Sequence, residues 1–125
     1  MQLASRRAPR EVALSPEDIL SSTREKFQRA LKEARPLFGW FSLTEECDLR
    51  CRYCFAGSSR PMEGELTTQE VLRVVDNIAE AGTEAIVFGG GEPTLRKDLI
   101  EIVAHTSRRM TVAINTNGQM LDRES

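Results

Sequence analysis

No stretch of this sequence is apolar for long enough to span a bilayer. Charge of one sign is also missing. Seventeen basic residues stand against 19 acidic ones, a net charge of −2, which suggests neither a nucleic-acid nor a membrane surface. Ser5-Arg6-Arg7 begins like a twin-arginine export signal, but the polar Ala8-Pro9-Arg10-Glu11 supplies no apolar core behind it. Arg6, Arg7 and Arg10 therefore read as part of a frayed leader over residues 1–14. Internal repeats and low-complexity tracts are absent. Histidine occurs once and cysteine only three times, an odd number confined to eight residues. Such a cluster is poor disulfide material and implies a reducing, cytoplasmic setting. With 125 residues the chain has room for at most one small domain. Its 29% charged and 40% apolar residues make that domain globular rather than disordered.

What the sequence does contain is organised around Cys47-Asp48-Leu49-Arg50-Cys51-Arg52-Tyr53-Cys54, a C-x3-C-x2-C arrangement. Three thiolates this close repel one another and are reactive, so the spacing calls for a metal centre. Thiolate sulfur suits zinc or an iron–sulfur cluster. A closed zinc site needs four ligands, and a cubane cluster ordinarily takes four cysteines. Three leave one metal corner free for another ligand. His105, the sole histidine, is the candidate fourth ligand of a zinc site; its alternative is a surface or packing role.

Around this loop the pattern is α/β. Ser15-Pro16-Glu17-Asp18 is a helix start with a serine cap, proline at the first position and acids facing the positive helix end. Leu20, Phe27, Ala30, Leu31 and Ala34 then recur at helical spacing until Arg35-Pro36, predicting an amphipathic helix over 15–36 that covers one end of a sheet. A first strand over 37–44 feeds directly into the cysteine loop. Gly57 to Gly64 is a polar connector, and Thr67-Thr68-Gln69-Glu70 is a capping box. The helix it opens carries Val71, Leu72, Val74, Val75, Ile78 and Ala79 and is closed by Gly82. Ala85-Ile86-Val87-Phe88 predicts a strand buried on both faces. A helix over Lys97 to Arg108, with Leu99, Ile100, Ile102 and Val103 as its apolar side, and a third strand over Thr111 to Asn115 complete the pattern. The rhythm predicts a parallel sheet, whose ligand sites lie beyond the carboxyl ends of the strands.

The second strand empties into Gly89-Gly90-Gly91-Glu92-Pro93. This is no phosphate loop, because Thr94 stands where G-x-G-x-x-G needs glycine and no Gly-Lys-Ser/Thr follows. It is either a tight strand-to-helix turn or half of a site whose other half is the cysteine loop. Thr116-Asn117-Gly118 ends the third strand. It has the look of a hairpin turn, but no alternating partner strand follows, so it reads as a third loop at the same mouth.

These motifs together resemble the radical S-adenosylmethionine (SAM) superfamily, whose signature is C-x3-C-x-aromatic-C, with Tyr53 in the aromatic place, followed by G-G-E-P, matched by Gly90, Gly91, Glu92 and Pro93. The likeness covers about residues 37–121 and is nearest to members with SPASM or twitch extensions and to haem-biosynthesis members, where a similar T-N-G occurs. It implies a partial (β/α) barrel of which residues 37–125 are the N-terminal half. It also implies that Cys47, Cys51 and Cys54 ligate a [4Fe–4S] cluster and that SAM chelates the fourth iron. The glycine–acid segment would then approach the methionyl part of SAM, with Glu92 suited to its ammonium group. Asn115, Thr116 and Asn117 become SAM or substrate neighbours, or else a structural turn. Arg50 and Arg52 either offset the cluster's charge or are solvated surface residues.

The chemistry implied is one-electron cleavage of SAM to methionine and a 5′-deoxyadenosyl radical, which takes hydrogen from a substrate, with a peptide or a tetrapyrrole as the classes favoured. An external one-electron reductant of the ferredoxin or flavodoxin type is the implied partner. The family core has six strand–helix units, and the likeness ends after the third. The expectation is therefore an incomplete enzyme needing its C-terminal half or a partner chain, weak in SAM cleavage alone, with an open parallel edge. A non-catalytic electron-transfer module and a zinc-binding interaction domain are the other classes.

Overall fold

Helical and strand periodicities alternate along the chain, and the computed structural model turns them into one layer of strands backed by helices. It describes residues 15–58 and 60–121, apart from the side chain of Ile19. The expected leader over 1–14, with its three arginines, and residues 122–125 of the expected core lie outside the described residues. The elements are α1 (Pro16–Lys32), β1 (Phe38–Thr44), α2 (Thr68–Glu80), β2 (Ala85–Gly90), a 3₁₀ turn (Pro93–Leu95), α3 (Leu99–Thr106) and β3 (Thr111–Ile114). The strands form one sheet in the order β1-β2-β3, and both pairings are parallel. Among the described residues, no helix is long and apolar enough to cross a membrane.

The caps form where the sequence places them. Ser15 Oγ accepts from the Asp18 N–H and Asp18 reaches back to the Ser15 N–H; Thr67 and Glu70 make the same reciprocal pair at α2. The first helix stops earlier than expected, at Lys32. Ala34 takes a left-handed φ of 50°, and the Arg35 N–H turns back to the Ala30 carbonyl. Pro36 explains this, since it disfavours helical backbone at Arg35. The helix does sit at one end of the sheet. Thr23 and Lys26 share a cavity of about 260 Å³ with Leu37, Phe38, Glu84, Ala85 and Thr111, all at strand starts. Its expected apolar stripe, however, is largely uncovered: Leu20, Phe27 and Leu31 stay exposed, and among the described residues of the helix only Ala30 is buried.

The core lies on one face of the sheet. Leu43, Ile86 and Phe88 pack with Val71 and Val75 of α2, Leu99 and Ile102 of α3, and Met110. The expectation that β2 is buried on both faces is thus corrected. Ile86 and Phe88 are buried, but Ala85 and Val87 are half-covered, and Phe38 and Trp40 beside them are exposed. Both α2 and α3 back the same side, so alternation along the strand leaves the other side bare. Helix α3 is shorter than expected at both ends. Its stripe is Leu99, Ile102, Val103 and Thr106, with Ile100 facing solvent.

Phe88, fully buried at the centre of this cluster, is expected to lose about 3–5 kcal/mol on Phe88→Ala. Leu31→Ala, on the exposed stripe, is expected to change stability by less than about 0.5 kcal/mol. Urea unfolding of the two variants checks the contrast.

Candidate functional site

Because all three strands run the same way, the segments following Thr44, Gly90 and Ile114 emerge at one end of the sheet. The first two are drawn together by backbone bonds. Gly91 N–H donates to the Thr44 carbonyl and Glu92 N–H to the Glu46 carbonyl, each at 2.7 Å, which carries the β1–β2 pairing to the residue before Cys47. A bulge between Ser42 and Thr44 sets this approach. Glycine is required here. Gly90 has a φ of +120°, and a Cβ on it would strike the Thr44 carbonyl oxygen and lie 2.6 Å from Ser42 Oγ. A Cβ on Gly91 would strike the Glu46 carbonyl oxygen. The glycines therefore admit the cysteine loop's own backbone.

Glu92 follows, only 1% exposed. Its Oε1 accepts from Thr94 N–H (3.0 Å), Thr94 Oγ1 (2.6 Å) and Thr116 Oγ1 (2.7 Å), and its Oε2 from Asn117 N–H (2.7 Å). Burial alone would raise the carboxyl's pKa. The hydrogen bonds from Thr94, Asn117 and Thr116 outweigh it and hold the group below its ordinary value. Glu92 thus ties the second loop to the third, while its own backbone holds the first. The Thr116 hydroxyl also accepts from Gly118 N–H, and Asn115 N–H continues the ladder to the Phe88 carbonyl at 2.8 Å. The Asn115 side chain is exposed.

A second polar cluster, not foreseen from sequence, braces the start of the cysteine loop. The Glu65 carboxylate accepts from Thr44 Oγ1, Glu45 N–H and Met62 N–H. Arg96 donates to the Leu43 and Leu66 carbonyls and forms a two-point pair with Asp98, which also accepts from Thr68 Oγ1. The Arg96 hydrogen bond is the main reason that the Asp98 carboxyl falls to about 2. Spacing could not reveal this cluster, because its members come from four separate segments.

Within the loop, Cys47 is half-buried and Cys51 and Cys54 are exposed, all three as free thiols. A turn joins the Cys54 N–H to the Cys51 carbonyl. Backbone N–H groups of Ser58 and Ala56 are the main causes that lower the Cys54 thiol pKa. Tyr53, Phe55, Arg50 and Arg52 stand in solvent. Among the described residues, no three His, Cys, Asp or Glu side chains are gathered to hold a single ion. His105 cannot complete a zinc set with the cysteines. It lies in the last turn of α3, toward the strand starts, and bonds Asp76 Oδ1 at 2.8 Å. Three soft donors on one loop with no fourth fit a cluster with one open corner better than a closed single-metal site.

Glu92→Gln would set an amide N–H against the Asn117 N–H and is expected to cost about 1–3 kcal/mol. The lowered carboxyl contributes stability above its ordinary value of 4.5, and that contribution is lost as pH falls through the lower folded value. Urea midpoints between pH 7 and pH 3 should therefore fall less in the variant than in the wild type.

A family model described as the Radical SAM superfamily matches residues 41–125. The Fe-coproporphyrin III synthase of Methanosarcina barkeri (strain Fusaro / DSM 804) is 40% identical over 95 residues, 74% of this chain and 24% of that protein. The GTP 3′,8-cyclase of Actinobacillus pleuropneumoniae serotype 3 (strain JL03) is 36% identical over 113 residues, 86% of this chain and 32% of that protein. The chain thus spans about a quarter to a third of the length of these curated relatives. Among solved structures, Streptococcus suis SuiB bound to S-adenosylmethionine matches with a TM-score of 0.59 at 20% identity, over 95% of this chain and 27% of that one. SuiB bound to its precursor peptide SuiA matches with a TM-score of 0.64 at 20% identity, over 98% and 29%. These structures share the partial β/α fold.

Proposed function

The chain belongs to the radical SAM superfamily, whose members use a [4Fe–4S] cluster and SAM, and from that premise we propose that it carries the cofactor end of a SAM-cleaving enzyme. Cys47, Cys51 and Cys54 hold three corners of the cluster. When bound, cluster and SAM supply one-electron cleavage of SAM and hydrogen abstraction from a substrate. The observation that carries this reading is the bonding of Gly91 and Glu92 to Thr44 and Glu46, which brings the glycine–acid turn beside the cysteine loop.

The chain's own residues divide the work. Gly90, Gly91 and Pro93 would stand beside the methionyl part of SAM, the two glycines drawn close to the cysteine loop by their bonds and contacts with Thr44 and Glu46. Glu92 fixes the backbone there and offers its negative field to the SAM ammonium through the donors that already engage it. Tyr53, exposed between Cys51 and Cys54, would lie beside the bound cofactors. Asn115, Thr116 and Asn117 would stand on the far side of the same site. Reduction comes from an external one-electron donor of the ferredoxin or flavodoxin type, and residues beyond this chain's three strands complete the enclosure of substrate. The likeness to an Fe-coproporphyrin III synthase makes a tetrapyrrole the first substrate class to test, and the SuiA-bound neighbour makes a peptide the second.

Anaerobic reconstitution with iron and sulfide should give a brown chain with about four irons that releases 5′-deoxyadenosine from SAM under dithionite, slowly when the chain is alone. Replacing any of the three cysteines by alanine should abolish both cluster and product. A colourless chain holding one zinc, or a stable cluster blind to SAM, would defeat the reading.

A further inference from the structure

The cysteine loop is weakly held. Residues 47–58 bury little: Tyr53 is 89% exposed and Phe55 96%. Among the described residues, a single hydrogen bond joins this segment to the rest of the chain. It runs from Asn117 Nδ2 to Asp48 Oδ1, 2.8 Å long, between residues 69 positions apart. Asp48 stands in the spacer between Cys47 and Cys51. Asn117 is engaged through its N–H and both ends of its side-chain amide. Its N–H donates to Glu92 Oε2 at 2.7 Å, and its Oδ1 accepts from Gln119 N–H at 2.9 Å, which fixes the amide's orientation and leaves Nδ2 aimed at Asp48.

We propose that Asp48 and Asn117 are positioning residues: the bond between their side chains sets where the cysteine loop stands against the Glu92 turn. In the SAM-cleaving enzyme proposed above, on which the functional half of this inference rests, that bond fixes how the cluster's open corner faces SAM. The physical reason is leverage. The start of the loop is held through Thr44, Glu45 and Glu46, but a segment with little buried surface beyond that point has few means of choosing one position over many, and this bond ends one residue from Cys47. Its acceptor is a carboxylate, so it is stronger than an amide–amide bond. Through Asn117 the third strand end, rather than the second alone, governs the geometry of the first.

The test exchanges the two groups. N117D keeps the acceptor for Gln119 and the backbone donor to Glu92 but sets a second carboxylate against Asp48. D48N alone removes that acceptor's charge. The double variant D48N/N117D restores a bond with donor and acceptor reversed. In the iron-free chain, trypsin cleavage after Arg50 and Arg52 is expected to be about tenfold faster in N117D and to return to within about twofold of the wild-type rate in the double variant. In the reconstituted chain, the change that SAM produces in the reduced cluster's electron paramagnetic resonance spectrum should be lost in N117D at unchanged iron content and should return in the double variant. Wild-type cleavage rates in N117D, or no rescue by the exchange, would overturn the proposal. If cleavage follows the pair while the wild-type chain takes up no cluster, the loop is tied as described but the functional reading falls, and the positioning role with it.

Discussion

A carboxylate sealed from water is tolerable only when donors surround it, and Glu92 meets that condition with residues from its own turn and from the loop after β3. Its backbone N–H meanwhile reaches the carbonyl just ahead of Cys47. One residue therefore contacts all three segments at the strand ends. Remove its charge or its partners and, among the described residues, the third loop keeps only the Asn117–Asp48 bond to the cysteine loop, since Thr116 Oγ1 and the Asn117 N–H make their inward bonds to Glu92. The rest of the fold can be seen as the frame that delivers Glu92 to this place. The parallel register aligns the strand ends, and the one-sided core under β2 keeps Phe88 in line behind the glycines.

That frame is asymmetric. Helices α2 and α3 cover one face of the sheet, and the opposite face exposes Phe38 and Trp40, the indole resting over Gly89. In a β/α barrel the corresponding face looks inward, so side chains on it lead toward the mouth that the three loops form. The cysteine loop hangs over that mouth with few contacts of its own. This suits a segment shaped by what it binds, for a rigid empty loop would have to be broken to admit a cluster.

Much of this was legible in the residues. Ser15 and Thr67 announced their helices because a capping pair is a local event, complete within four residues. The order of cysteine loop, glycine turn and T-N-G fixed the shared end of the sheet, since parallel strands allow no other arrangement. Other features depended on contacts that no spacing encodes. Val87 looked like a core residue because the run Ala85–Phe88 is uniformly apolar, yet covering a second face requires a layer that periodicity cannot supply. Ile100 joined the expected stripe of α3 only because neighbouring apolar residues blur the period. Arg96, Asp98 and Glu65 belong to no motif, and only the fold places them around the start of the cysteine loop. The role of Glu92 was half visible. The acid was expected at the site, but its engagement by Thr94, Thr116 and Asn117 depends on a loop 24 residues away.

The likeness to an Fe-coproporphyrin III synthase and to GTP 3′,8-cyclases runs through one common segment, although those names denote different products. The segment matched by the family model, residues 41–125, contains the loops at all three strand ends. The most direct measurement is Mössbauer spectroscopy of the chain reconstituted with iron-57, before and after SAM. Three sulfur donors and one open corner predict that about one quarter of the iron forms a distinct site whose parameters move when SAM is added, the rest staying put. Four equivalent irons indifferent to SAM, or iron bound singly, would contradict the account.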